Sequence, residues 1–286
     1  MKNPDSLFNE AKTINCGGKL ISLSTPIVMG ILNITPDSFY DGGAYKNDKD
    51  ILNKAEQMIL EGASIIDIGA YSTRPNAKDI SIVEEQERLI PIIKLIKNTF
   101  SDIPISVDTF RSVIAEIAIN EGADMINDIS GGTMDEHMFD IITKYKVPYV
   151  MMHIRGTPAT MQINPTYENV IKEVMDFFIE KIAILKSKGV NDIIIDPGFG
   201  FGKTLENNYQ LLNHLSLFRM LDCPILCGLS RKSMINKVID IKPDAALNGT
   251  TVLNTIALQN GANILRVHDV KEAMEAIKLV HFHQNI

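Results

Sequence analysis

The sequence predicts an α/β fold: one eight-stranded parallel barrel of the (β/α)8 type, with an N-terminal β-hairpin plugging its bottom. Three observations carry this expectation. Short β-branched runs alternate with longer amphipathic stretches, and they do so eight times. The runs are continuously apolar, as a parallel sheet covered on both faces requires. Residues 27–286 divide into eight units of about 32 residues, close to the roughly 30 that a βαβ crossover needs.

The elements follow in order. Thr13–Thr25 holds two short runs around Gly17-Gly18 and reads as the hairpin. Strands are expected at Ile27–Ile34, Ile65–Ile68, Ile103–Val107, Met125–Asn127, Val147–Met152, Ile193–Ile195, Pro224–Cys227 and Ile264–Val267. Helices are expected over 49–61, 82–100, 111–121, 135–145, 168–188, 205–219, 244–260 and 270–283. Gly-Ala recurs at Gly62-Ala63, Gly122-Ala123 and Gly261-Ala262, each time just before a strand, as a helix C-terminal glycine opening a tight turn. No Pro/Gly/Ser linker divides the chain, so residues 1–286 are read as a single domain, with 1–26 as an N-terminal extension.

Composition narrows the function. A hydrophobic share of 45% with 22% charged residues excludes a disordered or low-complexity chain. A net charge of −7 argues against a general nucleic-acid binder. The first residues carry Lys2, Asp5, Glu10 and Lys12 and no apolar stretch, and no run approaches 18 apolar residues. The expectation is a cytoplasmic protein without a membrane or nucleic-acid partner. Cys16, Cys223 and Cys227 are odd in number and widely spaced, and read as small buried hydrophobes rather than as a disulfide framework.

The informative residues stand at the strand ends: Asn33, Asp108, Asn127-Asp128, His153, Asp196, Ser230-Arg231-Lys232, Arg266 and His268. A closed barrel brings these to its C-terminal mouth, where catalytic groups of such barrels sit. Asp108, Asn127 and Asp196 form an acceptor-rich set suited to a flat heterocycle carrying N–H donors. Arg74, Arg231, Lys232, Arg266 and His268 form a cationic set suited to phosphate or carboxylate. Asn33 could offer an oxygen to Mg²⁺, which shares substrate phosphate oxygens and keeps waters. The residues alone therefore point to an enzyme that joins or cleaves a phosphorylated heterocycle.

Gly198-Phe-Gly-Phe-Gly202-Lys203-Thr204 ends like a phosphate-binding loop, but Pro197 stands where that motif needs its first glycine. It reads instead as a loop leading into a helix capped near Thr204. His137, His214, His281 and His283 read as surface or packing residues, and Arg155 as a solvated loop cation.

Eight ordered segments then match a known family: Met29-Gly-Ile-Leu-Asn33-Ile-Thr-Pro-Asp-Ser-Phe39, Ser72-Thr-Arg-Pro75, Ser106-Val-Asp108-Thr109, Asn127-Asp-Ile-Ser-Gly131-Gly132, Met152-His153 with Gly156-Thr-Pro158, Asp196-Pro-Gly-Phe-Gly-Phe-Gly-Lys203, Ser230-Arg-Lys-Ser233 and Arg266-Val-His-Asp269. Together they resemble the dihydropteroate synthases of folate biosynthesis, over residues 26 to 280. The resemblance implies a (β/α)8 homodimer, a Mg²⁺ requirement and two small-molecule substrates, 6-hydroxymethyl-7,8-dihydropterin pyrophosphate and 4-aminobenzoate. It also implies a sulfonamide target.

By motif position the resemblance places the pterin against Asp108, Asn127, Asp196 and Lys232, with Arg266 over its face and Ile129, Met151 and Phe201 lining the slot. Pyrophosphate would meet Arg74, Arg266 and His268, and Asn33 through Mg²⁺. The aminobenzoate would lie among Phe39, Thr73, Pro75, Ser230, Arg231 and Ser233. Asp108, Asp196, Lys232, Arg266 and His268 would carry the chemistry. The family commonly has Gly-Glu where this chain has Ala70-Tyr71, and Gly where it has Asn76. A pterin-binding methyltransferase on the same barrel is the alternative, but it has no need of the Thr-Pro-Asp-Ser-Phe and Ser-Arg-Lys-Ser segments.

Overall fold

The computed structural model of the chain describes residues 13–34, 44–72 and 79–286. It opens on the expected hairpin, β1 (Thr13–Cys16) and β2 (Lys19–Ser22), with Cys16 opposite Lys19 across a two-residue Gly17-Gly18 turn. Eight parallel strands follow: β3 (Ile27–Asn33), β4 (Ile65–Gly69), β5 (Ile105–Asp108), β6 (Met125–Asp128), β7 (Tyr149–Met152), β8 (Ile193–Asp196), β9 (Leu226–Cys227) and β10 (Ile264–Val267). Their order is β8-β7-β6-β5-β4-β3-β10-β9. A bridge between Ile195 of β8 and Ile225, just before β9, draws the ring together.

The helices are α1 (Ala44–Glu61), α2 (Ile82–Thr99), α3 (Ser112–Asn120), α4 (Met138–Tyr145), α5 (Val170–Ser187), α6 (Leu205–Asn213), α7 (Ser233–Ile239), α8 (Leu247–Gln259) and α9 (Val270–Gln284). Two differ most from the sequence reading, and α1 begins five residues before the expected 49. The stretch read as one helix over 205–219 ends as an α-helix at Asn213 and continues as a 3₁₀-helix, Leu215–Leu221. Leu215 and Phe218 are both fully buried, and the tighter winding stacks residues three apart on one face. The short α7, of seven residues, is an extra helix that the eightfold alternation does not announce. The three Gly-Ala pairs do what their spacing predicts. Gly62, Gly122 and Gly261 have φ of +107°, +108° and +95°. The following alanine N–H groups reach back to Met58, Ala118 and Ala257 at 2.9, 2.9 and 3.0 Å, closing each helix in the left-handed turn that glycine tolerates best.

Period-two alternation sorts the strand residues into two faces. One set, including Leu32, Ile66, Ile68, Val107, Ile126, Tyr149, Met151, Ile195 and Val267, packs against the helices. The alternate set points into the barrel. Its lower members, Ile27, Met29, Ile65, Met125, Val150, Ile194, Leu226 and Ile264, join Ile14, Cys16, Ile21 and Leu23 of the hairpin region in a separate apolar cluster. The hairpin thus plugs the bottom. The three cysteines are buried and free. No described helix is long and apolar enough to cross a membrane.

Candidate active site

Above the plug the same inward positions turn polar. Reading upward gives Asn33 on β3, Asp67 on β4, Ser106 and Asp108 on β5, Asn127 on β6, Asp196 on β8 and Arg266 on β10, with His268 just beyond. Arg266 ties one side together. Its Nε donates to Asp67 Oδ2 and its Nη2 to Asp108 Oδ2, both at 2.6 Å. Asn127 Nδ2 donates to the same Asp67 oxygen at 3.2 Å. Asn33 belongs to this side as well: a methyl placed on Gly69 would lie 3.6 Å from Asn33 Oδ1 and 3.8 Å from Asp108 Oδ2.

Asp67 is the residue that sequence reasoning missed. It is fully buried in the middle of Ile65-Ile-Asp-Ile-Gly69, so a search of strand ends passes over it. The signal was present: a lone carboxylate interrupting an apolar strand needs a buried cation or donors.

Asp196 and Lys232 form the opposite side. Asp196 Oδ1 accepts from the Gly198 N–H at 2.8 Å. Lys232 donates to the Phe199 carbonyl and stands 4.8 Å from the centre of the Phe201 ring. Gly228 keeps the space between them, since a methyl there would meet Lys232 Nζ at 3.7 Å and Asp196 Oδ2 at 3.9 Å.

The apolar part is a small cluster at the mouth, made by Phe110, Ile129, Met152, Ile154 and Met161 with Tyr71, Met134 and Phe201 against it. Ile129 and Phe201 thus both belong to this patch. Met151 does not join them. One residue off in register, it faces outward into the helix layer, and Met152 is the methionine of the mouth. Tyr71, where the resembling family has Glu, packs edge-on against Phe110 at 5.1 Å. Arg111 covers both rings at 5.4 and 5.3 Å and pairs with Glu85 at 2.7 Å.

Electrostatics follow burial. Loss of water pushes Asp108 up to about 7; Arg266 opposes this, while the charge of Asp67 adds to it. Asp196 is also raised by burial, against the pull of Lys232. Burial brings Lys232 down to about 8, with Asp196 opposing. Arg266, between Asp67 and Asp108, is held above the ordinary arginine value by those carboxylates despite its burial.

The remaining expected residues divide. His268 is anchored by Ser230, whose Oγ lies 2.9 Å from Nδ1 and accepts from the His268 backbone N–H at 3.2 Å. Ser233 begins α7 and is exposed. Arg231 is spent on the scaffold: it grips Asp269 with Nε and Nη2 at 2.9 and 2.8 Å, and its Nη1 donates to the carbonyls of Pro243 and Asp244. An aminobenzoate carboxylate would find most of that guanidinium occupied. Phe39, Thr73, Arg74 and Pro75, together with Asn76, lie outside the described residues. Asp128 faces away from the mouth and is satisfied by Tyr149, Ser130 and Gly132. No group of three or more His, Cys, Asp or Glu among the described residues forms a metal cage.

The sequence pattern of the pterin binding enzyme family matches residues 29–268. A dihydropteroate synthase of Haemophilus influenzae is 44% identical over 263 residues, covering 91% of this chain and 95% of that protein. Two solved structures superpose closely. A Yersinia pestis dihydropteroate synthase with a sulfonamide drug complex is 39% identical with a TM-score of 0.89, covering 96% of this chain and all of that one. A Xanthomonas albilineans dihydropteroate synthase in complex with 7,8-dihydropteroate is 34% identical with a TM-score of 0.85, covering 96% and 99%. With its polar ring of inward residues, the chain belongs to the dihydropteroate synthase family of pterin-binding enzymes.

Proposed function

We propose that the barrel mouth condenses 6-hydroxymethyl-7,8-dihydropterin pyrophosphate with 4-aminobenzoate, giving 7,8-dihydropteroate and pyrophosphate as a step of folate biosynthesis. The observation that carries this is the pairing of two polar walls, Asp67–Arg266–Asp108 with Asn127 and Asp196 with Lys232, beside an apolar patch of Ile129, Met152 and Phe201. A pterin ring has N–H donors along one edge, a carbonyl and two flat faces. Asp108, Asn127 and Asp196 offer acceptors and one amide, Lys232 a donor, and the apolar patch a surface for the ring. The Xanthomonas albilineans relative holds 7,8-dihydropteroate, the product this reading assigns.

The chemistry is a displacement at the pterin methylene. Its C–O bond breaks, pyrophosphate leaves with the electron pair, and the positive charge spreads into the ring. Ionised Asp108 and Asp196 favour that charge. Arg266 and His268 face the leaving group. Ser230 holds His268 in place through both its backbone N–H and its ring Nδ1. The neutral arylamine then attacks the methylene, a C–N bond forms, and a proton passes to water. No side chain has to act as a nucleophile.

Mg²⁺ fits the donor set as a shared ion. Asn33 Oδ1 faces the mouth beside Asp108 without a carboxylate cage around it, which suits an ion that takes its remaining ligands from pyrophosphate and water. Bound there, it would neutralise the leaving group's charge.

A second copy of the chain is the proposed partner. Val252, Leu279 and Phe282, on the packed helices α8 and α9, are 49%, 72% and 71% exposed, which supports a homodimer through this face. Three unpaired thiols suit a reducing cytoplasm.

The test is direct. Purified protein given both substrates and Mg²⁺ should release pyrophosphate and form 7,8-dihydropteroate, and should do neither once the metal is chelated. No pyrophosphate with Mg²⁺ present would refute the reading.

A further inference from the structure

The segment Gly198-Phe-Gly-Phe-Gly-Lys203, which imitates the end of a phosphate loop, has a different use for its lysine. Lys203 turns away from the mouth and is 4% exposed. Its Nζ donates to the carbonyls of Gly198 and Phe201, both at 3.0 Å, and to the carbonyl of His153 at 3.2 Å. It also lies 3.0 Å from His153 Nδ1. Burial holds the amine well below the ordinary lysine range and brings His153 down to about 2, so the imidazole stays neutral.

The other loop carbonyls are taken by different side chains. Lys232 binds Phe199 O, Gln162 binds Gly200 O at 3.0 Å and Tyr167 binds Gly202 O at 2.8 Å. Each of these holds a single carbonyl of the loop. Lys203 holds two and joins them to the end of β7. The fit there is tight. Gly198 has a φ of +71°, and a methyl on it would sit 2.0 Å from the His153 carbonyl. Burying an amine is unfavourable unless its hydrogen bonds are made. What the loop carries gives the reason for it: Asp196 at its start, the Phe199 carbonyl that receives Lys232, and the Phe201 ring in the mouth cluster.

We propose that Lys203 is a positioning residue for the pterin pocket: by tying Gly198 and Phe201 to His153 it sets the place of the Phe201 ring and of the Phe199 carbonyl, and through that carbonyl the place of Lys232. This rests on the assignment of the mouth to a pterin substrate. A slackened loop weakens the pterin contacts and leaves the aminobenzoate contacts, which belong to other loops, as they were.

The experiment compares wild type, Lys203→Met and Lys203→Gln, with Mg²⁺ present throughout. It uses calorimetry with 6-hydroxymethyl-7,8-dihydropterin pyrophosphate, steady-state kinetics and thermal unfolding. The expected result is folded variants whose affinity for the pterin substrate falls tenfold or more and whose KM for it rises as much, while KM for 4-aminobenzoate changes less than twofold. Gln, which keeps two N–H donors, should fall between Met and wild type. Wild-type pterin affinity in the folded variants, an equal rise in both KM values, or failure of both variants to fold would each overturn the proposal, the last because Lys203 would then serve the fold alone. Wild-type protein that binds no pterin substrate would refute the functional assignment itself, an outcome visible without either variant.

Discussion

Asp67 and Arg266 lie 199 residues apart in the chain and 2.6 Å apart in the barrel. The oxygen that accepts from Arg266 also accepts from Asn127, so one buried carboxylate orients both a guanidinium and an amide of the mouth. Arg266 gives its other arm to Asp108. With both carboxylates ionised, the single guanidinium leaves this side of the site one charge negative, suited to a substrate on which positive charge develops.

Asp67→Asn keeps the shape and removes that charge. Arg266 is left with Asp108 alone, and the repulsion that helps hold Asp108 up is gone. The expected outcome is a folded enzyme whose kcat/KM for the pterin substrate falls tenfold or more, with the acid limb of its pH profile moved to lower pH. An acid limb that stays in place would take Asp67 out of the electrostatics of Asp108.

The wild-type profile of kcat/KM should be a narrow bell. Asp108 accepts hydrogen bonds fully only when ionised, so activity falls as pH drops through about 7. Lys232 donates as a cation, so activity falls as pH rises through about 8. Lys232→Arg keeps the charge at every working pH. It should lower the maximum but abolish the basic limb, a difference that a pH series on the two proteins reads directly.

The adjacent methionines give a test of register. Met152→Ala should weaken binding of the pterin substrate in calorimetry, because Met152 belongs to the mouth cluster. Met151 is fully buried against the helices, so Met151→Ala should cost about 2–5 kcal/mol of stability and leave the affinity of the folded protein close to wild type.

The plug should matter for stability and not for substrates. Ile14 is 1% exposed beneath the barrel, and Ile14→Ala should lower the unfolding free energy by about 2–5 kcal/mol in denaturant titrations. Both KM values should stay within twofold of wild type, since this is the end of the barrel opposite the mouth.

The barrel was legible because its signals are local. Each strand is an apolar run, each helix shows its own period, and the three Gly-Ala turns mark where one hands over to the next. The break near His214 was not, because the winding there follows the burial of Leu215 and Phe218 against distant elements. At the site, polar residues at strand ends announced Asn33, Asp108, Asn127, Asp196 and Arg266. Asp67 stayed hidden inside its strand, and its partner comes from the far end of the chain. Met151 went astray because two neighbouring methionines carry the same chemistry and only their parity separates them. The engagement of Arg231 by Asp269 was not legible, because sequence distance conceals that pairing.

β10 sits between β3 and β9, which gives the last strand made the task of sealing the ring. While the ribosome adds the residues from Asn33 to Val267, roughly 10–50 s of elongation at typical rates, the growing sheet has an unpaired strand on either flank. Such edges invite pairing with other chains. Arg266 arrives on that same closing strand, so Asp67 spends the interval without its cation. A nascent chain of this kind gains protection from aggregation and a completed binding site in the same event, and a chain cut short before β10 has neither.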